Sequence, residues 1–165
     1  MIIRYLVHIS FLATLLLGSN LALAFGPNYP VGPDPILTPG KLCQRPDVFR
    51  YPERIAYCER DVTYESKMAL IQKYDEELGF HIRMMNRGDF KIDHYIPLCA
   101  GGSNDLSNLW PQHRNIYKIT DPIEPLVCEK MSQGKLSQRN AVILVMKAKR
   151  DLRQVPYVLK TLHAL

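Results

Sequence analysis

Apolar residues recur along the chain with a helical period in most segments, which predicts a largely helical protein. Between Thr63 and Gly79 the apolar positions lie three and four residues apart, as on one face of a helix over 64–78. Thr63 can cap the first turn of this helix, and Gly79 can end it. A similar pattern over 138–152 follows a capping serine, Ser137, and predicts another long helix.

A short alternating apolar run over 91–98 differs from these helical segments and predicts a strand. The Gly101-Gly102 pair predicts a turn, and a polar loop follows it. Pro111 is expected to open a helix that continues to about Ile119, because proline is favoured in the first helical turn.

Three further signals complete the predicted elements. Asp121, Pro122 and Glu124 form a helix start with a capping box. The apolar tail from Val155 predicts a short last helix. Residues 43–62 show no regular pattern. The order of a helix, a short strand-containing unit and then further helices predicts an α+β fold with little sheet.

Residues 1–24 have the pattern of a secretory signal. Arg4 supplies a positive charge, residues 11–17 form an apolar core, and Ala22 and Ala24 frame a cleavage site. The alternative is an uncleaved membrane anchor, but a spanning helix needs about 20 apolar residues and this run is interrupted. We therefore expect a secreted or periplasmic protein without stable membrane association after cleavage.

The rest of the chain is long enough to form one domain with its own core. Prolines and glycines are concentrated in residues 25–42, which predicts an extended leader before a single domain over 43–165. The formal net charge is +5, of which Arg4 contributes one. A modest basic excess suits a polyanionic partner, although many secreted proteins are equally basic.

All four cysteines lie after the predicted signal. An even number of cysteines in an exported chain predicts two disulfides. Three pairings are possible and the sequence does not decide between them; we favour Cys43 with Cys58 and Cys99 with Cys128. No two cysteines are separated by only two residues, so zinc knuckles are not expected.

The adjacent Asp93 and His94 on the predicted strand are the main candidates for chemistry. A carboxylate can bind a metal, and a neutral imidazole can accept a proton from water at neutral pH. Neighbouring side chains on a regular strand point to opposite faces, so a twist or bulge would be needed to bring both to one site.

The stretch 91–113 resembles the core of the HNH endonucleases, the ββα-metal finger. The shared pattern is D-H-x-x-P-L-x-x-G-G, a short polar loop, and then N-L-x-P. In this chain the matching residues are Asp93, His94, Pro97, Leu98, Gly101, Gly102, Asn108, Leu109 and Pro111. The resemblance implies a small ββα-metal hairpin-helix core, here surrounded by additional helices and stapled by disulfides.

The resemblance also implies roles for individual residues. His94 would be the general base, and Asn108 would tie the loop to the backbone near this histidine. Asp93 would bind one divalent ion, Mg²⁺, Mn²⁺ or Zn²⁺, together with a ligand from the following helix. The family's usual position for that ligand falls on Tyr117, a poor ligand, so His113 and Asn115 both stay open, with His113 slightly favoured.

The implied activity is hydrolysis of phosphodiester bonds in DNA with low sequence specificity, and RNA stays open as a substrate. Lys91, Arg114 and Lys118 are candidate phosphate contacts. The sequence does not show whether the protein forms a dimer or meets an immunity partner. One alternative is a module that binds nucleic acid or an envelope partner without cutting. Another is a hydrolase for other phosphoesters or a wall polymer, although no H-E-x-x-H motif is present.

Overall fold

A computed structural model of the chain describes residues 27–165. The predicted signal and its cleavage site lie outside these residues. The fold combines five helices with two small antiparallel hairpins within the described part. In chain order the elements are β1 (Val48–Arg50), β2 (Ile55–Tyr57), α1 (Tyr64–Leu78), β3 (Phe90–His94), β4 (Leu109–His113), α2 (Arg114–Thr120), α3 (Ile123–Ser132), α4 (Gln138–Arg150) and α5 (Val155–His163).

The boundaries of the two long helices agree with the capping signals. The Thr63 side chain accepts a hydrogen bond from the Ser66 amide at the start of α1, and Gly79 ends this helix in a left-handed conformation with φ of 74°. Ser137 caps α4 in the same way, through the Asn140 amide. The last predicted helix is also confirmed, as α5.

The expectation that Pro111 opens a helix is wrong. Pro111 lies in the middle of β4, opposite Ile92 of β3, and the helix begins only at Arg114. A proline is tolerated here because β4 belongs to a two-stranded sheet, in which each strand has a free edge. The run over 109–113 is buried up to its last residue and pairs residue by residue with β3.

A new helix begins one residue after the predicted position, at Ile123, but the predicted capping by Asp121 is wrong. Asp121 has helical backbone angles at the end of α2, and Pro122 precedes α3 without a side-chain cap. The Asp121 carboxylate instead accepts a hydrogen bond from Lys91 Nζ at 2.6 Å. The Asp121 side chain therefore forms a tertiary ion pair with Lys91 instead of the helix cap that the local pattern predicted.

The segment 43–62, predicted as irregular, contains the β1–β2 hairpin. Its turn uses positive φ angles at Tyr51 and Arg54, 65° and 56°, rather than at glycines. Because non-glycine residues rarely adopt this conformation, the usual turn signal is absent from the sequence.

The leader packs onto the domain rather than extending away from it. Leu37 and Thr38 are buried, and Thr38 Oγ1 donates a hydrogen bond of 2.8 Å to the Leu109 carbonyl. Residues 27–42 therefore cover β4, and the compact unit begins before residue 43. No helix within residues 27–165 is both long and apolar enough to cross a membrane.

The β3–β4 hairpin lies against two groups of buried side chains. One group joins the hairpin to α1, and the other lies among α3, α4 and α5. The first includes Leu70, Ile71, Tyr74, Ile92 and Trp110; the second includes Ile96, Val127, Val145, Val158 and Leu162. The chain between the strands therefore reaches into the helical core through Ile96.

Two disulfides connect these parts, with the favoured pairing. Cys43 is bonded to Cys58, and Cys99 is bonded to Cys128. The first bond joins the leader to the segment after β2. The second joins the loop after β3 to α3.

We expect the double variant Cys99→Ser/Cys128→Ser to keep most of its helical circular-dichroism signal while losing stability. The bond closes a loop of 29 residues, so its removal should lower the free energy of unfolding by about 3–4 kcal/mol in the chain-entropy description. Urea denaturation of the oxidised wild type and the variant measures this difference. An unchanged midpoint would show that the bond does not constrain the unfolded chain.

Candidate functional site

The Asn108 carboxamide holds the loop that follows the Asp93-His94 pair. Its Nδ2 donates to the carbonyls of Ile96 and Ser103 at 3.0 and 2.8 Å, and its Oδ1 accepts from the Ile96 amide at 2.9 Å. Asn108 is fully buried. This is the clamp geometry expected from the sequence. Gly102 is required beside it, because a Cβ there would collide with the Ile96 carbonyl.

The His94 imidazole is buried and held from both ring nitrogens. Arg60 Nη1 lies 3.3 Å from Nδ1, and Asn104 Oδ1 lies 3.0 Å from Nε2. A guanidinium has only donors, so Nδ1 must accept and Nε2 must carry the proton. The Asn104 orientation agrees, since its Nδ2 donates to the Glu59 carbonyl at 2.6 Å. The contacts therefore select one neutral tautomer of His94.

The surroundings of His94 favour this neutral form. Burial lowers the pKa of the imidazole below its ordinary value, and the neighbouring Arg60 and Lys149 charges lower it further. The hydrogen bond that His94 donates to Asn104 and the charge of Asp93 oppose this shift. A neutral imidazole has an available lone pair at neutral pH. His94 thus has the protonation state that a general base requires.

Arg60 is fixed to the hairpin as well as to the imidazole. Its Nη2 donates to the Ile92 carbonyl at 3.1 Å. It follows the disulfide-bonded Cys58 by two residues, so the Cys43–Cys58 bond restrains the segment that carries it. The guanidinium remains an exposed cation next to a base, which is a suitable arrangement for binding an anionic substrate.

The sequence pointed to neither Arg60 nor Asn104. Arg60 lies 34 residues before His94, in a segment without a recognisable pattern, and meets it only through the tertiary fold. Asn104 lies in the polar loop, where an asparagine is more often an ordinary turn residue.

The Asp93 carboxylate faces away from His94. The β3–β4 register is continuous, so the bulge that would turn both side chains to one site is absent from this hairpin. Asp93 Oδ2 accepts a hydrogen bond of 2.6 Å from Lys149 Nζ, which also donates to the His94 carbonyl at 2.6 Å. Lys149 is 3% exposed. Nothing in the sequence distinguishes it from the other basic residues near the end of α4.

This pairing keeps Asp93 ionised. Burial alone would raise the pKa of the carboxyl, but the ammonium groups of Lys149 and Lys91 bring it below its ordinary value. The second carboxylate oxygen, Oδ1, lies 3.7 Å from Lys91 Nζ. Both oxygens of Asp93 thus face cationic side chains.

The two candidate helical ligands lie at the other end of the hairpin. His113 pairs with Phe90, whereas His94 pairs with Leu109; at about 3.3 Å per residue the two ends are roughly 13 Å apart. The His113 Nδ1 accepts from the Asn115 amide, and its ring stacks on Tyr29 with 3.8 Å between centroids. The structure therefore does not bring His113 to Asp93.

Asn115 is also engaged elsewhere, since its Nδ2 donates to the Tyr29 hydroxyl at 3.1 Å. Within residues 27–165, no three His, Cys, Asp or Glu side chains are grouped so that they could hold a metal ion. Since Lys149 also covers one Asp93 oxygen, the donor set around Asp93 does not fit the divalent ion that the sequence resemblance implies.

The three predicted phosphate contacts are placed away from His94. Lys91 is paired with Asp121, and Arg114 Nη1 lies 2.7 Å from Asp89 Oδ1. Lys118 lies exposed in the last turn of α2.

A polar groove lies next to His94 instead. Asn104, which holds the imidazole, also lines this groove, whose volume is about 460 Å³. Lys41 and Arg45 lie along it, and Lys41 is paired with Asp105 at 3.0 Å. Asp105, which also lines the groove, balances Lys41, and Arg60 is the cation in direct contact with His94.

Comparisons with protein-family models, curated proteins and solved structures found no match for this chain.

Acidification should destabilise the protein partly through His94. The folded state lowers the pKa of this residue below the value of about 6.5 expected in the unfolded chain, so the unfolded chain binds more protons as the pH falls from 6.5 towards the folded pKa. Stability is therefore retained above pH 6.5 and lost below it. Urea denaturation at pH 7.5 and pH 5 should show a larger loss for wild type than for His94→Gln.

His163→Gln is the control for this comparison, because His163 is exposed at the end of α5. This variant should keep the acid sensitivity of the wild type. Equal acid sensitivity in wild type and His94→Gln would contradict the buried neutral imidazole.

Replacing one partner of the Asp93–Lys149 pair should lower the free energy of unfolding more than replacing both partners together. Each of Asp93→Asn and Lys149→Met leaves a buried charge without its partner and should lower the free energy of unfolding by about 3–5 kcal/mol. The double variant should lose much less than the sum of the two single losses.

A double-mutant cycle in urea measures this coupling. Arg153→Met is the matched control, because Arg153 forms an exposed pair with Asp151 and should contribute little. Additive losses for Asp93 and Lys149 would mean that the two charges do not interact.

Proposed function

We propose that this chain is an exported HNH-type endonuclease that hydrolyses phosphodiester bonds of nucleic acid, DNA above all. The observation that supports this most directly is the neutral His94 imidazole, whose proton-accepting Nδ1 lies 3.3 Å from the Arg60 guanidinium. A base and an anion-binding group are thereby adjacent, as attack of water on a phosphate requires.

Arg60 binds the phosphate in the proposed reaction. Its donors match phosphate oxygens in a bidentate arrangement, which is stronger than the single contact to a neutral imidazole. When the guanidinium turns to the phosphate, Nδ1 of His94 becomes available. The same movement therefore binds the substrate and frees the base.

His94 then accepts a proton from the attacking water. The water oxygen forms a bond to phosphorus, the bond from phosphorus to the departing sugar oxygen breaks, and that oxygen takes a proton from solvent. Asn104 Oδ1 accepts a hydrogen bond from the Nε2–H throughout and stabilises the imidazolium that forms. No step is assigned to a metal ion, because the donors around Asp93 do not fit one.

Nucleic acid is the proposed substrate for two reasons. The formal net charge is +5, Arg60 lies against His94, and Lys41 and Arg45 line the groove that Asn104 also lines. The segment that carries His94 and Asn108 is also the one that resembles the HNH core. Contacts of this kind address the phosphate backbone, so cleavage should have low sequence specificity.

A second candidate is a module that binds nucleic acid on the same scaffold without cutting it. It is favoured by the Asp93 carboxylate, because Lys149 occupies one of its oxygens and this carboxylate is then not open to a metal ion that could stabilise the departing oxygen. Wild-type protein that retains DNA with a steep salt dependence but never nicks it would support this candidate over the enzyme.

His94→Ala should reduce nicking of supercoiled plasmid by about 10²–10⁴-fold, the usual loss when a general base is removed. The assay uses the purified, oxidised protein and quantifies open-circular DNA by gel electrophoresis. Binding of the plasmid should change little, because Arg60 and the groove remain.

His163→Ala is the matched histidine control and should nick at the wild-type rate. Wild-type turnover by His94→Ala would refute the proposed mechanism.

A further inference from the structure

The Lys149 ammonium is bound by oxygen atoms. It donates to a carboxylate oxygen of Asp93 and to the carbonyl oxygen of His94, both at 2.6 Å. Hard divalent cations prefer the same two kinds of oxygen ligand. The side chain is 4% exposed, so this cation does not exchange with solvent as a surface lysine does.

The other charged side chains near the Lys149 ammonium come from three parts of the fold. Lys91 and Asp93 lie on β3, Asp121 follows α2, and Glu124 lies in the first turn of α3. Lys91 Nζ is 2.6 Å from Asp121 Oδ1 and 3.7 Å from Asp93 Oδ1. Burial raises the pKa of Glu124, and the charge of Lys149 opposes this.

A divalent ion at Asp93 would have to displace Lys149. The displaced ammonium is buried on α4 and would be left without the carboxylate that neutralises it. Leaving a buried charge unpaired is strongly unfavourable. The exchange would therefore give Asp93 a metal ion in place of Lys149, and it would break the Asp93–Lys149 ion pair that connects β3 to α4.

We propose that the Lys149 ammonium permanently takes the place of a divalent ion at Asp93, so that the native protein binds no divalent metal there. This inference goes beyond the proposed hydrolysis and does not depend on it. It concerns only which cation the Asp93 and His94 oxygens hold, and it can be decided without nucleic acid.

Mn²⁺ titration of the purified, oxidised chain tests the proposal. Three proteins are compared by calorimetry and by thermal unfolding: wild type, Lys149→Ala, and the double variant Asp93→Asn/Lys149→Met. The double variant lacks both charges and serves as the reference for Mn²⁺ bound elsewhere on the molecule.

Wild type should match the reference, without an additional Mn²⁺ and without a larger rise in Tm. Lys149→Ala should bind one additional Mn²⁺, because the Asp93 and His94 oxygens then face an open cation site. Its Tm should rise by roughly 5–10 °C once Mn²⁺ reaches about 100 times its Kd.

Two results would overturn the proposal. One is an additional Mn²⁺ in wild type that the reference lacks. The other is a folded Lys149→Ala that responds to Mn²⁺ no more than the reference does. If Lys149→Ala does not fold, the comparison between wild type and reference still decides the first result.

The plasmid assay distinguishes this inference from the proposed function. Loss of all nicking would refute the endonuclease and leave the titration unaffected. Nicking by wild type together with an additional Mn²⁺ that the reference lacks would refute the inference and leave the endonuclease intact.

Discussion

The Asn108 carboxamide is the contact on which the site's geometry depends. The loop between β3 and β4 buries backbone groups that have no strand partner, and Asn108 satisfies three of them from one side chain. Without it, these groups would be buried unpaired, which is costly. The loop also presents Asn104, so the orientation of the His94 ring follows from a hydrogen-bond requirement several residues away.

Strand alternation accounts for the division of charge across β3. His94 contacts Arg60 and Asn104, and Asp93 faces a buried ammonium, because adjacent residues of a regular strand cannot share a side. One environment keeps an imidazole neutral and the other keeps a carboxylate ionised, although the Asp93 and Lys149 charges also act on the pKa of His94. Asp93 and His94 are therefore neighbours in the sequence whose side chains make separate sets of contacts on opposite faces of β3.

The sequence predicted those features of the fold that depend on neighbouring residues. Helix caps at Thr63 and Ser137 depend on nearby residues, and the structure agrees with them. The favoured cysteine pairing also agrees with the structure, although the sequence does not decide between the three possible pairings. The strand at Pro111 was missed because helix and edge strand both accept a proline. Arg60 and Lys149 were missed because each reaches the hairpin from a distant element, and no periodicity or motif encodes such a contact.

The Cys43–Cys58 bond makes the geometry of the site depend on the redox conditions around the protein. It restrains the segment from which Arg60 reaches His94. Without this bond, the segment is still held by hydrogen bonds such as the one from Asn104 to the Glu59 carbonyl, and by the packing of Ile55 and Val62 against the core. Oxidation therefore adds a covalent restraint to the segment that brings Arg60 to His94, and reduction would loosen the site without unfolding the domain.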